Sequence, residues 1–513
     1  MLALVAGTLG LISLFVHYGV DIATLQELTL RVTTNPLILV CATAALTAFV
    51  LFISTCIANL VNESMRRLVV SVALCSFLVA ALGIGWAYIN PHSPISDQQS
   101  MWNIVLSLSK AQPLDEQSVE YVALYPHQKN LAVILALVCQ ALNTDSYFIF
   151  YIAFSLSAGA WVLGLCVAAY DLSEKSLPAV ICAVVCVLFV PLVFYATYLY
   201  GTIVAPTLIT WSFVGIERFA LRKDPRWLVL PALLLWLANR IYSGTLVGTI
   251  AALISLVFLA LTFRKEAKIA GAALTACVLI AGTYFASGRL IDAYFQRRTQ
   301  IAPSDGAPST AWIAMGLTSD DVLGEGGWNN LNAELFAKNN NNTAATNQEA
   351  TGIIVDALND YLTGKRSLLF FARKTERQWL DPTFGGITMN VHRDEETGRT
   401  LSTLLDGPFF DIVQSVMVVL VPLVYLYAAA GSIDIARKRH ACLVVVFSLY
   451  ILGGFAFQLG WEQKSRYCLP YFVGLMPIAA LGLASFKTHL RNLIARRKTA
   501  SQPPRHMRLG GDE

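Results

Sequence analysis

The sequence is short of charge. Asp, Glu, Lys and Arg make up 14% of its 513 residues, where a soluble globular chain carries about a quarter. That excludes an ordinary soluble protein. The net charge of +4 is too small to mark a nucleic-acid partner and reads instead as bias toward one membrane face. No GxxxxGK[ST] loop is present, so that way of cradling a nucleotide is excluded, and there is no internal repeat. Cysteine is missing from the polar segments. All 10 cysteines (Cys41, Cys56, Cys75, Cys139, Cys166, Cys182, Cys186, Cys277, Cys442 and Cys468) fall inside apolar runs. An exported disulfide framework is therefore not expected, and each reads as a small apolar side chain. The opening MLALVAGTLGLISLF has no basic residue before its apolar run. A cleaved signal peptide is not expected, and the stretch reads as a first span.

What the chain has is apolar sequence: 56% apolar residues and a mean hydropathy of +0.58. Many runs approach the roughly 20 residues that a spanning helix needs. The expected class is an all-α polytopic membrane protein. Candidate spans are 2–19, 36–60, 68–89, 129–143, 147–170, 177–197, 201–220, 227–241, 243–263, 268–288, 409–430, 440–459 and 467–486. Basic clusters at 65–67, 222–226, 264–268, 436–440 and 487–498 should mark the cytoplasm. An even number of crossings must then separate residues 66 and 223, so one candidate between them is not a full crossing. The shortest, 129–143, is expected to be a re-entrant or tilted segment. About 12 full spans remain, with both termini cytoplasmic.

The expected organisation follows. Residues 1–60 are two added N-terminal spans. Residues 61–288 form the transmembrane core, with a first outer loop at 90–128. Residues 289–408 are a second outer region, 409–486 the last spans, and 487–513 a basic cytoplasmic tail. Apolar residues over about 348–380 recur at helical spacing and predict helices lying on the membrane surface. The asparagine run 339–342 reads as a solvated turn. The tail, with its Pro503–Pro504 pair, is expected to be disordered, and anchoring to anionic lipid is its functional alternative.

Five polar clusters stand at the expected outer edge. Asp97, in PISDQQSMWN, is a carboxylate able to take a proton from an acceptor hydroxyl; equally, Ser96 and Asp97 are placed to cap the following helix. In YPHQK, Pro126 breaks the chain, and His127, Gln128 and Lys129 are donors suited to a phosphate or sugar, or else an interfacial belt. Arg240 and Tyr242 in LANRIYSG put a charge at a depth where it is costly and functional by default, unless it snorkels to the interface. Glu462, Lys464 and Arg466 lie in a short outer turn where cations should be avoided. They either meet an anion or pair as Glu462–Arg466. Lys374, Arg377 and Trp379 in ARKTERQWLDPTF, with Trp312 in AWIAMGL, are candidates for a sugar-stacking face or an aromatic belt.

The order of these motifs over about 68–486 resembles that of the GT-C glycosyltransferases, integral-membrane enzymes that use polyprenyl-phosphate sugars. Protein O-mannosyltransferases and lipid A aminoarabinose transferases are among them. The resemblance rests on an Asp in the first outer loop, then Y-P-x-x opening a short helix (YPHQ, 125–128). YLYGTIVAPTLITW (198–211), LLLWLANRIYSGTLV (233–247) and EQKSRYCLPYF (462–472) follow in the family's order, and AWIAMGL and W-x-D-P-T are similar to bacterial cell-wall members. The family often shows two acids in the first loop and a Pro near residue 243. Here Gln98 and Ser243 stand there, so no second acidic role and no metal site follows.

The resemblance implies the GT-C fold and direct, inverting transfer of a sugar from a polyprenyl-phosphate donor to an acceptor hydroxyl of an envelope polysaccharide, glycolipid or protein. Asp97 would be the base. Arg240, Lys129, Arg466 and Lys374 would stabilise the departing phosphate, with His127, Gln128, Tyr242, Arg377, Glu462 and Lys464 completing the donor site and Trp312 and Trp379 binding the acceptor. No cofactor or nucleic acid is implied. Two other readings share the cationic face: a transporter or flippase of a lipid-linked sugar, and a membrane polysaccharide polymerase or ligase. The absence of a repeat and the clustering of polar groups at one edge argue against the transporter.

Overall fold

The computed structural model describes residues 1–21, 29–302, 304–320, 324–391, 398–437 and 441–500. It is helical throughout, with two short antiparallel hairpins, 16–20 with 29–33 and 319–320 with 324–325, as the sheet structure among the described residues. Seven helices are long and apolar enough to cross a membrane: Pro36–Val61, Met65–Ile89, Phe148–Asp171, Ser243–Thr262, Ala267–Thr299, Phe409–Ile435 and Leu469–Arg497. An eighth span is made if Ser176–Leu188 and Pro191–Thr197, bent by 62°, are taken together. The chain is an all-α multi-pass membrane protein. The apolar helices Leu2–Ser13, Gln128–Leu142 and Val445–Gly460 are shorter.

Local chemistry sets the boundaries. Asn35 accepts from the Leu37 amide and precedes Pro36, so the first long helix starts on a side-chain cap and a proline at its first position. It ends at Asn62, which takes the left-handed conformation (φ 45°) that Asn tolerates. Small residues then let helices meet. Gly83 lies against Ser155, and Gly159 against the Ser76 carbonyl, joining Met65–Ile89 to Phe148–Asp171. Gly431 and Gly482 bring the backbones of the helices starting at Phe409 and Leu469 together. Close backbone approach of this kind is how helices associate in lipid, where burying apolar surface gives no advantage.

Three expectations change. The first candidate span, 2–19, is a helix of 12 residues followed by a strand, Val16–Val20, paired in register with Thr29–Thr33. The reason is visible in VHYGV, whose side chains alternate buried and partly buried, a strand period rather than a helical one. Gln414 holds the hairpin by accepting from Val20 N (2.9 Å) and donating to Val20 O (3.0 Å). Second, the last helix runs on to Ala500, so residues 487–500 of the tail are helical. Residues 501–513, with the proline pair, and 438–440 of one basic cluster lie outside the described residues. Third, the segment 289–408, read from the sequence as loops and surface helices, is not all at the surface. Residues 380–391 have no regular structure, yet nearly all are buried.

The surface-helix pattern over 348–380 does give helices, Thr343–Leu362 and Leu369–Trp379. The asparagine run links them to what precedes. Asn339 donates to the Leu335 carbonyl, Asn340 and Asn341 adopt positive φ (52° and 57°), and Asn342 caps the next helix through Ala345 N (2.9 Å). The nine described cysteines are free thiols.

Candidate functional site

Asp97 is the first residue of the helix Asp97–Lys110. Ser96 before it adopts φ 50° and its side chain makes no capping bond, so the cap foreseen at this pair is not formed. The Asp97 side chain is exposed and has no hydrogen-bond or ion-pair partner among the described residues. Its neighbour Gln98 points inward, and its Oε1 accepts from Leu199 N at 2.6 Å. That bond pins the segment Tyr198–Tyr200 behind Asp97.

Around Asp97 lies a set of tyrosines. The Tyr121 and Tyr200 hydroxyls are 3.1 Å apart, and Gln128 Nε2 donates to Tyr200 at 2.6 Å. Burial first, and the Asp97 charge after it, raise the pKa of Tyr121; at Tyr200 burial and then Tyr121 come ahead of Asp97. These phenols therefore stay protonated and remain donors. His127 meets Gln128 through Nε2 (3.3 Å). Its ring reaches solvent, but the protein enclosing it lowers its pKa to about 4 by desolvation, so the imidazole is neutral at physiological pH.

Tyr198 links this cluster to a cation. It stacks on Tyr200 (centroids 5.3 Å apart) and its hydroxyl accepts from Arg466 Nη1 at 2.7 Å. Arg466 also donates toward Met389 Sδ (3.0 Å) and lies 5.2 Å from the centroid of Tyr467, whose hydroxyl donates to Glu462 Oε2 (3.2 Å). Lys464 pairs with Glu462 at 3.6 Å. Tyr242 is within electrostatic reach of Arg466 and Tyr198. Trp312 joins from the other side, 5.8 Å from Tyr125, whose phenol feels the Asp97 charge. The fold thus gathers Asp97, His127, Gln128, Tyr242, Glu462, Lys464, Arg466 and Trp312 around one row of tyrosines.

The other sequence candidates go elsewhere. Lys129 pairs with Asp292 at 2.5 Å. Arg240 donates to the Tyr284 carbonyl and stacks on the Tyr284 ring, so the helix Ala267–Thr299 holds it. Arg377 lies against Glu325 (3.7 Å) and the Tyr18 ring. Lys374 is wholly buried and donates to three carbonyls: Gly316 (2.5 Å), Leu459 (3.1 Å) and Trp461 (2.5 Å). Burial pulls its pKa down to about 7 against the opposing pull of Glu462. It is fully engaged as an internal tie, with no donor left for a phosphate. Trp379, 2% exposed, packs on Phe455 and Tyr471 and offers no face to an acceptor.

Several residues here escaped the reading of the sequence: Gln98, Tyr121, Tyr198, Tyr200, Tyr467, Asp381 and Ser465. Asp381 is buried and accepts from Thr383 N (2.9 Å), Thr383 Oγ1 (3.0 Å), Gly385 N (2.8 Å) and Ser465 Oγ (2.6 Å). It thereby ties the 380–391 loop to the turn that carries Arg466. That loop also reaches the first polar loop, because Asn90 Nδ2 donates to the Asn390 carbonyl at 2.5 Å. The signal for the tyrosines was the triplet YLY directly after the bent helix pair; for Asp381 it was the D-P-T turn.

Among the described residues no group of three His, Cys, Asp or Glu side chains could hold a metal ion. The chain matches no known family model and no curated protein sequence. The geometry therefore carries the functional argument alone.

Proposed function

We propose that this protein is a membrane glycosyltransferase of GT-C type that moves a sugar from a polyprenyl-phosphate donor to an acceptor hydroxyl. The observation that carries the reading is the Asp97 carboxylate: exposed, unbonded among the described residues, and backed by buried phenols and Arg466. In the proposed step Asp97 takes the proton from the acceptor hydroxyl as its oxygen attacks the anomeric carbon. The bond from that carbon to the phosphate oxygen breaks on the opposite face, so the product is inverted. Negative charge grows on the departing lipid phosphate, where Arg466 with its planar fork, and Lys464 beside it, stabilise it. The neutral His127 and the Tyr121 and Tyr200 hydroxyls hydrogen-bond the sugar.

The polyprenyl tail lies between helices, in lipid. By the distribution of basic residues the cluster faces the extracytoplasmic side, with both termini in the cytoplasm. A count of about 12 spans requires the bent pair, Leu2–Ser13, Val204–Arg222, Val229–Ile241 and Val445–Gly460 to cross as well as the seven long helices. The acceptor belongs to the cell envelope: a polysaccharide, glycolipid or protein.

One observation favours the flippase reading. The 62° bend between Ser176–Leu188 and Pro191–Thr197 is the kind of broken helix that transporters use at a substrate site. Nothing comparable favours a polymerase or ligase. The deciding experiment supplies membranes containing the protein with a panel of polyprenyl-phosphate sugars labelled in the sugar. Transfer of label to a product of inverted anomeric configuration is expected. A protein that transfers from no donor, yet carries the labelled lipid across a vesicle bilayer, would overturn the proposal in favour of the flippase.

A further inference from the structure

Five aromatic rings from three distant parts of the chain form a continuous row that ends beside Asp97. Phe457 stacks on Trp461 (centroids 4.8 Å apart), Trp461 lies parallel to Trp312 (6.1 Å, interplanar 3°), Trp312 meets Tyr125 (5.8 Å) and Tyr125 meets Tyr121 (5.0 Å). Tyr121 and Tyr125 both feel the Asp97 charge. Phe457, Trp461, Trp312 and Tyr125 are each partly open to solvent. An interfacial belt would scatter its rings around the perimeter, each against lipid. Here the rings touch one another and lead to a single carboxylate.

A second observation sets the chemistry of the occupant. Asp97, at the end of the row, is exposed and has no hydrogen-bond or ion-pair partner among the described residues. An open carboxylate beside ring faces calls for a polar partner as well as a stacking one. A lipid tail on this row would leave it unsatisfied. Sugar rings meet both demands, since their C–H faces stack on aromatic faces and their adjacent hydroxyls donate and accept. The row is also longer than one sugar ring.

We infer that the row from Phe457 to Tyr121 is a carbohydrate track, and that the acceptor is a glycan of more than one sugar residue, laid along it with its terminal hydroxyl at Asp97. The acceptor role rests on the glycosyltransferase reading; glycan binding itself does not. The test titrates purified full-length protein in lipid nanodiscs, without donor, with mono- to hexasaccharides of neutral and acidic hexoses, following tryptophan fluorescence. Affinity is expected to rise from mono- to trisaccharide. Trp312→Ala should weaken it about tenfold, the size of one lost ring contact. Trp312→Phe, which keeps a ring and guards against misfolding, should weaken it less. The off-row Trp379→Phe should bind as the wild type does.

If no oligosaccharide binds better than its monosaccharide, or if folded Trp312→Ala binds normally, the track is overturned. That outcome leaves the transferase reading standing if sugar transfer to a protein acceptor is seen. Oligosaccharide binding without transfer from any donor supports the track and removes the transferase.

Discussion

Asp97 and Asp381 are both carboxylates in a chain poor in charge, and the same short turn serves both: Ser465 bonds Asp381 while Arg466, next to it, faces the tyrosines behind Asp97. Their surroundings are opposite. Asp381 is wholly buried and takes four hydrogen bonds. Nearby Lys374, equally buried, gives three. A charge taken out of water is tolerated only when it is paired or hydrogen-bonded, so folding accounts for every bond these two make. Asp97 is exposed and makes none among the described residues; its charge suits the first turn of its helix, but no partner holds the side chain. A polar group used to the full by its own protein is architecture. One left open beside ordered donors is available for chemistry.

Substitutions can break this contrast or sharpen it. The largest effect is expected at Asp97→Asn: sugar transfer falls by about 10²–10⁴-fold, the contribution of a positioned general base, with no loss of thermal stability in a melting scan. Asp381→Asn should do the reverse. Replacing one acceptor oxygen by a donor leaves buried N–H and O–H groups unpaired and costs about 3 kcal/mol, seen as a lower melting temperature, while transfer per folded molecule falls far less.

Lys374→Met removes three hydrogen bonds and should destabilise by about 2 kcal/mol or more. It also carries a pH signature. Burial lowers the Lys374 pKa from 10.5 to about 7. Between those values the unfolded chain holds a proton that the folded chain has released, so this lysine makes stability rise with pH across that window. The wild type minus Lys374→Met difference in melting temperature should show that rise, and a flat difference would contradict it. The smallest effect concerns His127. With its pKa lowered to about 4, it should leave no imidazole inflection between pH 5.5 and 8 in the transfer profile, and the profile of His127→Asn should keep the wild-type shape over that range.

Much of the architecture was legible because lipid imposes a simple code. The long helices from Pro36, Met65 and Phe148 follow apolar runs, and Asp97, His127, Gln128 and Arg466 stand out as polar residues at their edges. Legibility failed where long-range packing decides. Lys374 and Trp379 sit in an amphipathic pattern that reads as a surface helix, yet the helix Leu369–Trp379 turns both inward. Residues 380–391 carry no periodicity and read as outer loop. Only Asp381, Asn390 and their distant partners explain why they are buried. Tyr121, Tyr198, Tyr200 and Tyr467 went unread, since sequence cannot say whether rings face lipid or one another.

The most direct test takes Asp97→Asn and Asp381→Asn through one preparation, measuring donor-dependent sugar transfer and melting temperature together. The expected result is a crossing: Asp97→Asn inactive at wild-type stability, Asp381→Asn destabilised yet active where folded. If Asp97→Asn transfers normally, or loses transfer only because it no longer folds, then Asp97 is a structural residue and the proposed mechanism is wrong.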